Sequence, residues 1–375
     1  MSEPLKGRIV FLDYMRVFAF VSVLIGHKFF ENIVHLATDS TQHITVRYLA
    51  ELLIPLCQGG AAGVVVFFMT SGYIITHVLQ KEEPGDFLIK RFFRIYPLFI
   101  FAVIAELIFG YVVHDVPVPS LQVIIPRIFL LGDFFGTPYG LAGVEWTLRI
   151  EVMFYLFMFA LKMVGVFRKQ NVLPIIYVVV AAVLYLMPTF PSGYGWSDGY
   201  FNLYTPFLLV GSCIYLAQHK TIKKTTCFTV CTLMFFAFMS LITTLHPNWK
   251  DSHYALFAVL LFLGAIIWQA KLHDSYALGL LSNLTYSVYL FHNWLWDYIA
   301  IPVLSLGFTG LNAKLVIGAA LLAVCYALHA TIETYGLTLG SKVLKIRRNM
   351  KERQREDKKS IALLYNWVAG LKRGN

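Results

Sequence analysis

Charge is scarce in this 375-residue chain: Asp, Glu, Lys and Arg together make up 14% of it, against about 25% in an ordinary soluble domain. That scarcity excludes a disordered polyelectrolyte and argues against a water-soluble globule. Cysteine is scarcer still. Cys57, Cys213, Cys227, Cys231 and Cys325 all fall in apolar stretches, so neither a disulfide framework nor a metal site is indicated; Cys227 and Cys231 stand four apart with no second pair. Acidic residues are outnumbered 21 to 31 by Lys and Arg, for a net charge of +10. The excess is local, however, because residues 341–375 hold 11 of the basic residues and 3 of the acidic ones. A nearly neutral body with a basic tail gives no reason to expect nucleic acid as a partner. What the chain does have is apolar surface: 58% hydrophobic residues, 31 Phe and 21 Tyr, with a mean hydropathy of +0.66. Together these predict an all-α polytopic membrane protein.

A membrane-crossing helix needs about 20 mostly apolar residues. Ten stretches qualify, at 9–29, 52–79, 92–113, 146–164, 172–188, 200–217, 226–245, 254–270, 278–300 and 312–335. The first lacks a small-residue cleavage site and reads as a retained span. The piece at 121–135, interrupted by Pro126, Arg127, Gly132 and Asp133, is expected to be a short re-entrant or interfacial helix. With both termini cytoplasmic, the inside segments collect Lys6, Arg8, Lys81, Lys90, Arg91, Arg94, Arg168, Lys169, Lys220, Lys223, Lys224, Lys271 and the tail. The outside loops keep only Arg47, Arg127 and Lys250, with Lys314 at a span end. This layout predicts one transmembrane domain over 1–340 and a basic cytoplasmic segment over 341–375, an amphipathic helix lying on the inner leaflet.

Ionisable groups inside spans are costly and mark function. Asp13 and Arg16 are three apart and can pair. Arg16 and His27 are eleven apart, about 20° around the helix and ~16 Å along it, so they share a face. Arg91 and Arg94 lie one turn apart at the inner boundary, a fork for phosphate or carboxylate. Gly60, Gly63, Ser71 and Gly72 line the second span, where small residues admit either a close helix or a slender ligand. In the fourth span Glu145 and Arg149 are spaced to pair. Glu151 is expected at the depth of His27, as partner to a base. His292 is buried among hydroxyls in the ninth span, and His329 with Glu333 reads as a structural pair.

The segments LDYMRVFAFVSVLIGH (12–27), GVVVFFMTSGYII (63–75), KRFFRIYPL (90–98), WTLRIEVMFY (146–155), SNLTYSVYLFH (282–292) and TIE (331–333) resemble, in this order, the membrane-bound acyltransferase 3 family of bacterial O-acyltransferases. The resemblance implies a catalytic histidine at His27, with Asp13, Arg16 and Glu151 as further site residues. It implies an acyl-CoA site at Arg91 and Arg94, near Ser71 and Gly72, with Trp146, Tyr73 and His292 as substrate-binding or supporting residues. Thr147 replaces the usual serine, Tyr73 stands where phenylalanine is common, and the last motif lacks the arginine and proline that often follow its glutamate. The expected activity is transfer of an acyl group, most often acetyl, from cytoplasmic acyl-CoA to a saccharide or lipid-linked glycan on the outer side of a bacterial inner membrane. No metal takes part. A glycan or anionic-solute transporter or flippase is the alternative, since the same buried charges would line a pathway.

Overall fold

The computed structural model describes residues 8–247 and 253–371. Every described element is helical: α1 (Val10–Lys28), α2 (Phe30–Thr38), α3 (Ile44–Cys57), α4 (Ala61–Leu79), α5 (Pro84–His114), α6 (Leu121–Ile128), α7 (Glu145–Met163), α8 (Leu173–Leu186), α9 (Tyr200–Gln218), α10 (Lys224–Leu245), α11 (His253–Ile267), α12 (Tyr276–Phe291), α13 (Trp294–Ser305), α14 (Gly310–Leu328) and α15 (Thr334–Leu371). Each of the ten apolar stretches is occupied by helix. Six of the described helical runs are long and apolar enough to cross a membrane: Val10–Lys28, Ile44–Leu79, Pro84–His114, Tyr200–Gln218, Lys224–Leu245 and Gly310–Lys359. Helix α7 falls outside that set while carrying Glu145, Arg149 and Glu151, and α8 and α11 are shorter.

Helix α4 is the axis of the bundle. Its small residues let α1 and α9 approach to backbone contact, and this sets the spacing of the whole core. A Cβ on Gly72 would lie 1.9 Å from the Leu208 carbonyl oxygen of α9, and one on Gly211 would lie 2.0 Å from that of Met69. The two glycines thus interlock. Fifteen of the nineteen α4 residues are buried as a result, Ala62, Val65, Val66, Phe68 and Met69 completely.

Two expected continuous spans are broken. Residues 52–79 divide at Gly59 and Gly60, whose φ of 55° and 70° lie in the left-handed region that ends one helix and restarts another. Residues 278–300 divide at His292 and Asn293, between α12 and α13.

The 121–143 segment contains only the eight-residue α6 and two short 3₁₀ turns, far too little to cross a bilayer. Its charges are absorbed internally. Arg127 donates to Glu145 at 2.5 Å and also pairs with Glu106, while Arg149 donates to Glu145 at 2.8 Å and pairs with Asp133. Glu106 also accepts from the Leu141 amide at 2.6 Å, and Tyr200 donates to Asp133. Buried charges persist when paired in this way, and the network fastens the segment over the first turn of α7, with Arg149 Nε left without a hydrogen-bond partner.

The boundary expected at 340/341 falls inside α15, which continues α14 through a π-helical turn at His329–Glu333. His329 and Glu333 pair there at 3.0 Å, and Ser287 donates to the same carboxylate at 3.1 Å. The first turns of α15 are held against the start of α5: Gly336 and Gly340 sit against Pro97 and Phe93. Arg347 and Arg348 reach Asp86 at 3.6 and 3.3 Å, and Lys351 pairs with Glu83. The side chains of Tyr365 and Trp367, and Lys250, Lys372 and Arg373 altogether, lie outside the described residues.

Candidate functional site

The polar groups of the core gather around two cavities, one toward each end of α1. The first is an arginine cavity, lined by Arg16 of α1, Phe67, Thr70 and Ser71 of α4, Arg91 and Arg94 of α5, Glu151 and Tyr155 of α7, and Thr285 and Tyr286 of α12. Helical spacing explains the convergence. Arg91 and Arg94 share a face of α5, and Glu151 and Tyr155 are four apart on α7. Glu151 accepts hydrogen bonds from Ser71 Oγ at 2.7 Å and Tyr155 Oη at 2.5 Å. Arg91 lies 5.5 Å over the Phe87 ring and 5.8 Å over that of Tyr155, a cation–π arrangement, and its Nε is buried without a hydrogen-bond partner. Three guanidiniums face one carboxylate, so the cavity carries a positive excess and, in Arg91, a donor turned to no protein acceptor. Such a set suits a polyanion.

The second is a histidine cavity, lined by His27, Gly59, Val64, Ala142, Gly143, Trp146, Tyr204, Tyr289, His292 and Asn293, among others. The breaks at Gly59 and at His292 and Asn293 border it, and so does Ala142, a non-glycine residue at φ 49°. Irregular backbone inside a helical bundle is tolerated where it is buried in protein or lines a cavity. His27 is exposed there, whereas His292 is 1% exposed, and their ring centroids are 5.2 Å apart. Thr147 Oγ1 and Tyr289 Oη share a hydrogen bond of 2.6 Å, and Asn293 Nδ2 donates to the Ala142 carbonyl at 2.9 Å. The Trp146 and Tyr204 rings meet at a tilt of 48° with centroids 5.1 Å apart. Phe67 of the arginine cavity and Tyr289 of the histidine cavity lie parallel at 5.9 Å, and this pair forms part of the wall the cavities share.

The residues singled out in the sequence separate on this geometry. Arg16, Arg91, Arg94, Ser71 and Glu151 come together in the arginine cavity; His27, Trp146 and His292 come together in the histidine cavity. Glu151 does not sit with His27 as its depth suggested, because it meets α4 at Ser71, eleven residues (~16 Å) past Gly60. Asp13 lines neither cavity. It is a buried hub that takes hydrogen bonds from Arg8 at 2.6 Å, Ser282 at 2.5 Å and Arg16 at 3.4 Å, joining α1 to α12 and aiming Arg16. Gly72 also lines neither, its role being the α4–α9 contact. Tyr73 is 2% exposed, packs edge-on against Phe11 and Tyr215, and donates to Gln218 at 2.7 Å. Its place is in the packing behind the cavities.

Sequence reasoning missed Tyr155, Phe67, Tyr289 and Asn293. The i, i+4 spacing from Glu151 could have found Tyr155, and proximity to His292 could have found Tyr289 and Asn293. Cys227 and Cys231 are free thiols with Sγ atoms 3.8 Å apart. Among the described residues, no group of three or more His, Cys, Asp or Glu side chains is placed to hold a metal ion.

A family model described as an acyltransferase domain matches residues 9–330. Over 175 residues the chain is 25% identical to Nodulation protein 10 of Rhizobium leguminosarum bv. viciae, covering 41% of this chain and 44% of that protein. Over 119 residues it is 30% identical to Peptidoglycan O-acetyltransferase OatA of Listeria monocytogenes, covering 26% of this chain and 19% of that protein. The chain therefore spans less than half the length of these curated relatives. No solved structure matches it. The family match runs from the first turn of α1 through α14 and takes in every residue of both cavities, and on it the chain belongs to the acyltransferase 3 family.

Proposed function

We propose that this chain is a membrane O-acyltransferase that moves an acetyl group from acetyl-CoA, held by its phosphates in the arginine cavity, to a saccharide hydroxyl in the histidine cavity. The observation that carries the proposal is the pairing of a cationic cavity, open to a polyanion, with a cavity holding an exposed histidine. The two lie ~16 Å apart along one helix and share the Phe67–Tyr289 wall. Ten crossings with both termini cytoplasmic would put the arginines on the donor side and His27 on the outer side of a bacterial inner membrane, with residues 341–375 as the basic cytoplasmic segment. The acceptor class, a saccharide or lipid-linked glycan, is suggested by the peptidoglycan named for the Listeria relative.

In this reading the arginines bind and orient the CoA phosphates, and the acyl-bearing arm runs along α4 toward His27. The acceptor hydroxyl gives its proton to a ring nitrogen of His27 as its oxygen forms the ester bond to the thioester carbonyl carbon. The C–S bond breaks, and the imidazolium returns its proton to the departing thiolate. The products are an acetyl ester and free CoA. Arg16, which Asp13 draws toward the end of α1 remote from His27, would join Arg91 and Arg94 in holding the donor phosphates.

The test is to incubate membranes carrying the wild type or His27→Ala with acetyl-labelled acetyl-CoA and count label in alkali-labile glycan esters. Labelled glycan from the wild type and none from His27→Ala is expected. Unchanged labelling in His27→Ala overturns the assignment of the base. Glycan or anion movement without acetyl-CoA consumption identifies a transporter instead.

A further inference from the structure

The hydrogen bonds of His292 fix which of its nitrogens can do what. The break after α12 leaves the Tyr289 carbonyl in the last helical turn, where carbonyls lack helical partners, and His292 Nδ1 lies 2.7 Å from that oxygen. A carbonyl oxygen only accepts, so Nδ1 carries the proton. In the neutral ring Nε2 is therefore a bare acceptor. That Nε2 is itself buried and has no hydrogen-bond partner, an arrangement rare enough in native interiors to call for an explanation.

The ring beside it belongs to His27, with centroids 5.2 Å apart. Two imidazoles joined through N–H···N need about that span: roughly 2.9 Å between nitrogens plus about 1.1 Å from each nitrogen to its ring centre. A small rotation of His27 brings one of its nitrogens to His292 Nε2. Among the described residues no carboxylate lines this cavity, and Glu151, the acid sequence reasoning offered as the orienter, is engaged with Ser71 and Tyr155 in the other one.

We propose that His292 is the positioning residue for His27. Its Nε2 accepts the N–H of one His27 nitrogen, which leaves the other bare and turned to the cavity as the base. The inference rests on the reading of His27 as base and adds the group that sets its tautomer. In the transfer step the hydroxyl proton goes to the bare nitrogen. The imidazolium's second N–H stays bonded to His292, which gains and loses no proton, and the first proton leaves with the thiolate.

Two substitutions separate this role from others. His292→Asn keeps an amide donor for the Tyr289 carbonyl but has nothing at the Nε2 position; His292→Gln can place an amide oxygen there. Membranes carrying each variant are given acetyl-labelled acetyl-CoA, and label is counted both in glycan ester and as free acetate, the product when water replaces the saccharide. The expected result for His292→Asn is a loss of about ten- to a hundredfold in both products together, with KM for acetyl-CoA unchanged, and recovery of most of it in His292→Gln. A fall in glycan label alone makes His292 a saccharide contact and overturns the proposal. Equal losses in both variants, or no loss in His292→Asn, overturn it too. Absence of transfer by the wild type overturns the acyltransferase reading and this inference with it. Should His292→Asn fail to accumulate, ¹⁵N spectra of histidine-labelled wild-type protein decide: a ring protonated at Nδ1 and bare at Nε2, absent from His292→Gln, is required, and its absence is refuting.

Discussion

The arginine cavity makes opposite predictions for substitutions of opposite charge. Arg16, Arg91 and Arg94 line the cavity with Glu151 as its one carboxylate; Asp13 pairs with Arg16 from outside the cavity, and Arg91 and Arg94 keep the lining positive. Arg91→Ala removes one guanidinium, whose Nε has no protein acceptor, together with its contacts over Phe87 and Tyr155. A charge-assisted hydrogen bond to phosphate is worth about 1.5–3 kcal/mol, so acetyl-CoA should bind roughly 10- to 150-fold more weakly, with kcat little changed. Arg94→Ala should behave alike, and Arg91→Lys should fall between, keeping charge but losing the fork. Glu151→Gln removes the one carboxylate that lines the cavity while leaving an oxygen to accept from Ser71 and Tyr155. It should lower KM for acetyl-CoA. The assay is the KM of purified protein for acetyl-CoA at low and high ionic strength, where the wild type should weaken with salt more steeply than Arg91→Ala. A KM unmoved by both arginine substitutions in folded protein would refute the phosphate role. A KM raised equally by Arg91→Ala and Glu151→Gln would show that cavity shape, not charge, governs binding.

Gly72→Ala should lower stability by about 1–3 kcal/mol or more, because its Cβ would fall 1.9 Å from the Leu208 carbonyl oxygen. Thermal melting in detergent checks it, and a changed KM with unchanged melting would show that the glycine contacts the donor. Phe67→Ala removes half of the Phe67–Tyr289 stack and should raise turnover of propionyl- and butyryl-CoA relative to acetyl-CoA, measured as thiol release across that series. Asp86→Asn weakens the pairing of α5 with Arg347 and Arg348 and should change stability by less than about 1 kcal/mol, as partly exposed pairs do. Lys351 holds the Glu83 carboxyl below its ordinary range. Its small contribution should therefore be present near neutral pH and fade as acid protonates Glu83, which amide exchange at the start of α5 would register.

Local pairs were legible in the sequence because helical spacing alone brings them together. Asp13 with Arg16, Glu145 with Arg149, and His329 with Glu333 all meet as their separations require. The small residues of α4 were legible only as an ambiguity between packing and binding. The structure divides them: Gly72 packs against α9, while Ser71, its neighbour in the chain, faces Glu151. The depth of Glu151 was misjudged for a physical reason. Counting residues from the start of a helix gives depth only if that helix starts at the membrane surface. The first turn of α7 is instead buried within the protein, under the 121–143 segment that Arg127, Glu106 and Asp133 fasten over it, and Glu145 is 0% exposed. The meeting of His27 with His292, more than 260 residues away, follows from the α1–α12 packing that Asp13 and Ser282 secure, and no local pattern encodes it.

The distribution of regular and irregular backbone separates the tasks of the two cavities. The arginine cavity is built on the uninterrupted faces of α1, α4, α5, α7 and α12, whose side chains are fixed by helix packing, as a site that grips a donor of constant shape requires. The histidine cavity is bordered by Gly59, by Ala142 and Gly143, and by the break at His292 and Asn293. Each of these places a chain reversal or a helix end at the cavity that holds His27, where carbonyls and side-chain amides are available to a polar acceptor. Family members that share a donor but differ in acceptor should then differ most at these three interruptions and least around the arginines. Exchanging 138–144 between this chain and a relative tests that directly: acceptor preference should follow the exchanged segment while KM for acetyl-CoA stays with the host. A KM for acetyl-CoA that moves with the segment would show that the two cavities are not separable in function.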